Sequence, residues 1–181
     1  MTRKRNIAIL ATLDTKGSEA ASMRDSLRAL GYSATLIDIA PLGPPLVQPD
    51  IANVEVARAG GEELSTLIRT GERDRVMETM GKGASKLLSL LYFQGKINGV
   101  IGLGGNQGTA VASMAMRTLP FGFPKYLISC RKSRLHPRAS PEFAVCPAKW
   151  FRAWPGLRDF RKTASDNWQA FWLKKFLNCP A

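Results

Sequence analysis

The sequence predicts an α/β fold: a three-layer, Rossmann-like open parallel sheet of about four strands, followed by an irregular C-terminal tail. Three observations carry this reading. Short continuous apolar runs, Asn6 to Thr12 and Ile97 to Leu103, have the composition of strands buried on both faces. Longer segments between them repeat apolar residues at helical spacing. The stretch VIGLGGNQGT, Val100 to Thr109, runs from an apolar strand through Gly104, Gly105 and Gly108 into a small-residue helix. Such a junction sets backbone N–H groups at the positive end of a helix dipole, where anions and above all phosphate bind.

Taken in order, NIAILAT is the first strand, and LDTKG breaks it. A helix follows from about Ser18, with Met23, Leu27 and Leu30 on one face, and stops at Gly31. YSATLIDIA is the second strand. Pro41 to Pro49 is rich in Pro and Gly and reads as a loop. Residues 51–68, around Gly60 and Gly61, read as an excursion with helical stretches near the carboxyl edge of the sheet. The longest helix runs from Arg73 to about Gln94, striped by Val76, Met80, Leu87, Leu88 and Leu91; Gly81 and Gly83 within it suggest close packing on the sheet. After the third strand, a helix spans Gly108 to about Thr118. KYLIS, Lys125 to Ser129, is the fourth strand. With the third strand beside the first and the second on the other flank, the topological switch point falls between the first and third. The loops TLDTKG and GLGGNQGT then meet at the carboxyl ends of those strands.

Charge divides the chain. Residues 1–130 carry 15 Lys+Arg against 11 Asp+Glu, whereas residues 131–181 carry 11 against 3, together with all four tryptophans and the only histidine, His136. The basic balance belongs to the tail, so it does not make the whole protein a nucleic-acid binder. Cys130, Cys146 and Cys179 are widely spaced and form no C-x-x-C pair, which argues against a zinc site or a disulfide framework. No apolar run approaches the length of a membrane span, and Asp14 interrupts the apolar start, so the expectation is a cytoplasmic protein without a membrane span.

The two loops supply the candidate site. Gly104 and Gly105 can take positive φ and admit a phosphate to the backbone. Gly108 and Thr109 stand at the helix start; Asn106 and Gln107 add side-chain donors, and Thr109 a hydroxyl. Across the crevice Lys16 offers a cation, Thr12 and Thr15 offer hydroxyls, and Asp14 suits a ribose hydroxyl or, through water, a Mg²⁺. Each has a plainer reading: a tight strand-to-helix turn for the glycines, a favourable helix-dipole position for Asp14, and a solvated surface charge for Lys16. The loop is neither a Walker A sequence nor G-x-G-x-x-G, since Gln107 occupies the place of the third glycine. Asp38, at the end of the second strand, reads as a loop acid.

The segments ATLDTKGSEAASMRDSLRALGYSATLIDIAPLG, GERDRVMETMGKGASKLL and INGVIGLGGNQGTAVASMAMRTLPFGFPKYLIS together resemble an uncharacterised bacterial and fungal family. That family is related to the N-terminal ATP-binding domain of the tomato mosaic virus resistance protein, and the resemblance spans about residues 5–129. It implies the first of two Rossmann-like subdomains of an ATP-binding domain. It also implies nucleotide contacts at Thr12, Asp14, Thr15 and Lys16 and at Gly104, Gly105, Gly108 and Thr109. Two departures stand out: Asn106-Gln107 replaces the family's usual Ser-Gly, and Cys130-Arg131-Lys132 replaces the continuation into a second subdomain.

From Cys130 the sequence loses period and becomes dense in Arg, Pro and Trp; only Ser165 to Leu177 reads as a helix, with Trp168, Phe171 and Trp172 on one face. A nucleic-acid-binding arm and a membrane-surface helix are two readings. The favoured one is a change of reading frame near codon 130, which leaves residues 131–181 outside the fold and the protein a truncated member of its family. The expected function is ATP binding by residues 1–130, with Mg as a potential companion and no catalytic residues assigned. The alternatives are a nucleic-acid binder acting through the tail, or half of an enzyme site completed by the missing second subdomain. A homo-oligomer that covers the sheet edge is a further expectation.

Overall fold

The computed structural model describes residues 5–129 in full and residues 144–146 by their backbone. The elements are β1 (Asn6–Ala11), α1 (Leu13–Ala29), β2 (Ser33–Asp38), α2 (Asn53–Gly60), α3 (Leu64–Thr70), α4 (Arg73–Phe93), β3 (Gly99–Gly104), α5 (Asn106–Met116), β4 (Lys125–Ser129) and β5 (Ala144–Cys146). The strands form one sheet in the order β2-β1-β3-β4-β5. All pairings are parallel, with Ile9 opposite both Leu36 and Ile101, and Ile101 opposite Tyr126. β1 and β3 are neighbours with β2 outside β1, as the sequence leads one to expect. The backbone strand β5 extends the edge beyond the four expected strands. The expected helix at Ser165 to Leu177 and its aromatic face lie outside the described residues.

Strand alternation sorts the core into two layers. Ile7, Ile9 and Ala11 of β1 point to the α1 face and pack with Leu13, Ala20 and Leu27. Ala8 and Leu10 point the other way, toward Val56, Leu67, Met80, Leu88 and Val111 from α2 to α5. Ile7, Ile9, Leu10 and Leu27 are wholly buried, each contributing about 1.5–3 kcal/mol of apolar transfer. Among the described residues no helix is long and apolar enough to cross a membrane.

Three details depart from the sequence reading. The helix expected near Ser18 begins at Leu13, because the Thr12 carbonyl accepts the N–H groups of Thr15 (3.2 Å) and Lys16 (2.7 Å), so LDTKG forms its first turn. Lys16, at φ −123° and ψ 17°, kinks that turn. The helix expected at Gly108 begins at Asn106. Gly81 and Gly83 pack on helices rather than on the sheet: a Cβ on Gly83 would run into the Val56 carbonyl of α2, and one on Gly81 into Met114 of α5. The excursion 51–68 resolves into two short helices, α2 and α3, each closed by a left-handed glycine, Gly61 (φ 107°) and Gly71 (φ 66°).

α4 and α5 run parallel. Arg73 lies against Gln107, Gly81 against Met114, and the Ser89 hydroxyl donates to Thr118 Oγ1 at 2.9 Å, so contacts advance together along both helices. The N-termini of α1, α4 and α5 therefore all lie at the carboxyl ends of the strands.

Candidate functional site

The two loops meet at the β1/β3 junction. Gly108, in the first turn of α5, is so close to Thr12 that a Cβ would lie 2.8 Å from Thr12 Cγ2. Gly104 is tighter still: a Cβ there would stand 2.6 Å from the Gly108 carbonyl carbon and 2.7 Å from Thr109 N. Gly105 differs, with nothing among the described residues within 4 Å of the position a Cβ would take. None of the three has positive φ, contrary to the expectation for Gly104 and Gly105. Glycine is needed at 104 and 108 because backbone and side chain approach closely, not because the chain turns left-handed.

Around this core, Thr109 N–H donates to the Gly105 carbonyl at 3.0 Å, the ordinary helical bond. The Thr109 hydroxyl lies 3.2 Å from the Gly104 carbonyl and 3.0 Å from Ser129 Oγ, tying α5 to the ends of β3 and β4. The N–H groups of Gln107 and Gly108 belong to the first turn, which has no carbonyl one turn earlier to accept them. The α1 and α5 dipoles thus present their positive ends side by side across the Thr12–Gly108 contact.

On the α1 side, a hydroxyl chain runs from Thr12 Oγ1 to Thr15 Oγ1 (3.2 Å), and Thr15 donates to Asp14 Oδ1 at 3.2 Å. The Pro-rich loop folds over this turn. Leu46 N–H donates to the Leu13 carbonyl at 2.9 Å. Leu46 also fills the space beside Gly17, and Gly43 lies against Asp14. Lys16 Nζ pairs with Glu19 Oε1 at 2.8 Å, with only 22% and 12% of the two side chains exposed. Burial opposes the Glu19 charge, but the hydrogen bonds from Lys16, its own backbone and Ser18 outweigh it and hold the carboxyl below its ordinary range.

Asp38 is the residue whose role the sequence concealed. It is no loop acid but the last residue of β2, with no exposed surface. Its Oδ1 accepts the N–H groups of Leu13 (3.1 Å) and Ala40 (2.9 Å), joining the first residue of α1 to the start of the Pro-rich loop. Oδ2 is buried without a hydrogen-bond partner among the described residues. Burial pushes this carboxyl above the usual carboxylate range and the Asp14 charge adds to the rise, against the two N–H bonds that favour ionisation.

Arg73 is the other unexpected residue. The Gln107 amide, oriented so that its oxygen faces the guanidinium, accepts from Arg73 Nε at 2.6 Å and Nη2 at 3.1 Å. Gln107, expected to act as a donor toward a ligand, therefore turns an acceptor toward a cation brought in by α4. Asn106, at the exposed first position of α5, stands beside it.

A parallel α/β sheet whose helix N-termini gather at the switch point defines a Rossmann-like domain. Residues 5–136 match the N-terminal domain of the uncharacterised protein family UPF0261, and the chain belongs to that family. A UPF0261 protein of Clostridium tetani is 39% identical over 125 residues, covering 69% of this chain and 31% of the relative. One from Brucella suis is 34% identical over 128 residues, covering 71% and 31%. The ToMV resistance protein Tm-1 of Solanum lycopersicum is 42% identical over 57 residues, or 32% of this chain and 8% of that protein. The chain thus spans about a third of the length of its bacterial relatives.

Proposed function

We propose that the crevice at the starts of α1 and α5 binds a nucleotide, ATP, through its phosphates. The observation that carries this reading is the shape of the β1/β3 junction. Thr12 and Gly108 draw two helix N-termini together, while Gly105 beside them meets none of the described residues. The first-turn N–H groups of Gln107 and Gly108 in α5, two aligned dipoles and a backbone with no described side chain in front of it are what a phosphate requires. The family resemblance, in which the same two loops are associated with ATP, supports the choice of nucleotide. Mg²⁺ would come with the phosphates, steadied through water by Asp14. Such a protein would work in the cytoplasm.

Thermal unfolding of the full chain with and without Mg-ATP tests it. Ligand at a hundredfold excess over Kd stabilises by about 2.7 kcal/mol, roughly 5–11 °C for a chain of this size. Gly105→Asp should abolish the shift and leave the unliganded melting temperature nearly unchanged, because the new side chain meets none of the described residues. An unshifted wild-type protein at millimolar ATP overturns the proposal.

A further inference from the structure

We propose that Arg73 is the cation that pairs with the phosphate at the first turn of α5, and that Gln107 holds its guanidinium ready for it. The inference rests on the nucleotide reading above and adds a residue from outside both loops. Lys16, the cation in the loop itself, is engaged by Glu19 at 2.8 Å. Arg75, two residues beyond Arg73, is clasped by Glu62 at 2.8 Å. Arg73, by contrast, forms no ion pair with a carboxylate among the described residues; it is exposed and its described partner is the neutral amide of Gln107.

That difference is chemically informative. A carboxylate holder would neutralise the guanidinium, whereas an amide oxygen positions it and leaves its charge intact. Nε and Nη2 serve Gln107, and a guanidinium has five donors in a planar fork, so others remain to span two oxygens of a phosphate. The position also serves α4 poorly, since a helix dipole disfavours a cation in its first turn. The parallel packing of α4 on α5 carries Arg73 to the α5 N-terminus, the end at which Gly105 is open.

Isothermal titration of the 181-residue chain and its Arg73→Ala, Arg73→Gln and Arg73→Lys variants with Mg-ATP, inorganic tripolyphosphate and adenosine tests this. Arg73→Ala and Arg73→Gln should weaken ATP and tripolyphosphate about tenfold or more. Arg73→Lys should recover part of the loss, and adenosine should bind all four proteins alike. Wild-type affinity for ATP in Arg73→Ala and Arg73→Gln overturns the role of Arg73 and leaves the nucleotide reading standing. Equal loss of adenosine and ATP also overturns it, as it would show a general distortion. Failure of the wild-type protein to bind ATP overturns both.

Discussion

Three glycines within five residues do different work, and alanine substitution separates them. At Gly104 the added Cβ meets only backbone: Gly108 C at 2.6 Å, Gly108 Cα at 2.7 Å and Thr109 N at 2.7 Å. Relief requires α5 to move away from β3 by roughly 0.7 Å, against a close-packed helix face and the Thr109–Gly104 and Thr109–Ser129 contacts. Overpacking of this kind costs about 2–3 kcal/mol, or roughly 4–12 °C in melting temperature for a chain of this length. At Gly108 the obstacle is the Thr12 methyl at 2.8 Å, which can rotate away at the expense of the Thr12–Thr15 contact, so about 1 kcal/mol is expected. At Gly105 no described residue lies within 4 Å and φ is −79°, so alanine should stay within about 0.5 kcal/mol of wild type. Urea unfolding followed by circular dichroism, with the slope compared among variants, measures all three. A Gly104→Ala protein as stable as wild type, or a Gly105→Ala protein as damaged as Gly104→Ala, refutes the reasoning.

Two carboxylates should respond to pH in opposite directions. Asp38→Ala strips the acceptor from the Leu13 and Ala40 N–H groups and should cost about 2 kcal/mol or more, while Asp38→Asn, which keeps an oxygen, should cost less. Because the folded protein raises the Asp38 pKa, wild-type stability from this group is fullest in acid and declines as pH rises through the folded value; urea midpoints across the acid range should lose that decline in Asp38→Asn. Glu19, with its pKa lowered, contributes above the ordinary Glu range and loses that contribution as pH falls through its folded value. Glu19→Gln should therefore be destabilised by up to about 1 kcal/mol near neutrality, and a gap to wild type that persists unchanged into acid would contradict the pairing with Lys16.

The strand order was legible because it rests on local signals. Continuous apolar runs mark strands buried on both faces, and β4 lies where KYLIS reads as a strand, Lys125 to Ser129. The contact of Thr12 with Gly108 follows from the same logic, since both follow the carboxyl ends of strands that pair from Ile7–Gly99 to Ala11–Leu103. Helix starts were harder to read. The Thr12 carbonyl closes the first turn of α1, and Asp38, 25 residues later, accepts the N–H of its first residue, Leu13, a bond that becomes apparent once β2 is aligned beside β1.

Gly60, Gly81 and Gly83 show why the rest escaped. Their spacing says that something approaches closely but not what, and the answer, α2 against α4 and α4 against α5, depends on how helices pack on a common face of the sheet. Arg73 belongs to the same class. In sequence it is one charge among Glu72, Asp74 and Arg75, with every appearance of a solvated helix start. Only the parallel register, fixed further along by Gly81 on Met114 and Ser89 on Thr118, places it against Gln107. Small residues on α4 thus set the helix spacing that brings Arg73 to Gln107 in the first turn of α5, so a packing feature further along the two helices determines which side chain Gln107 meets.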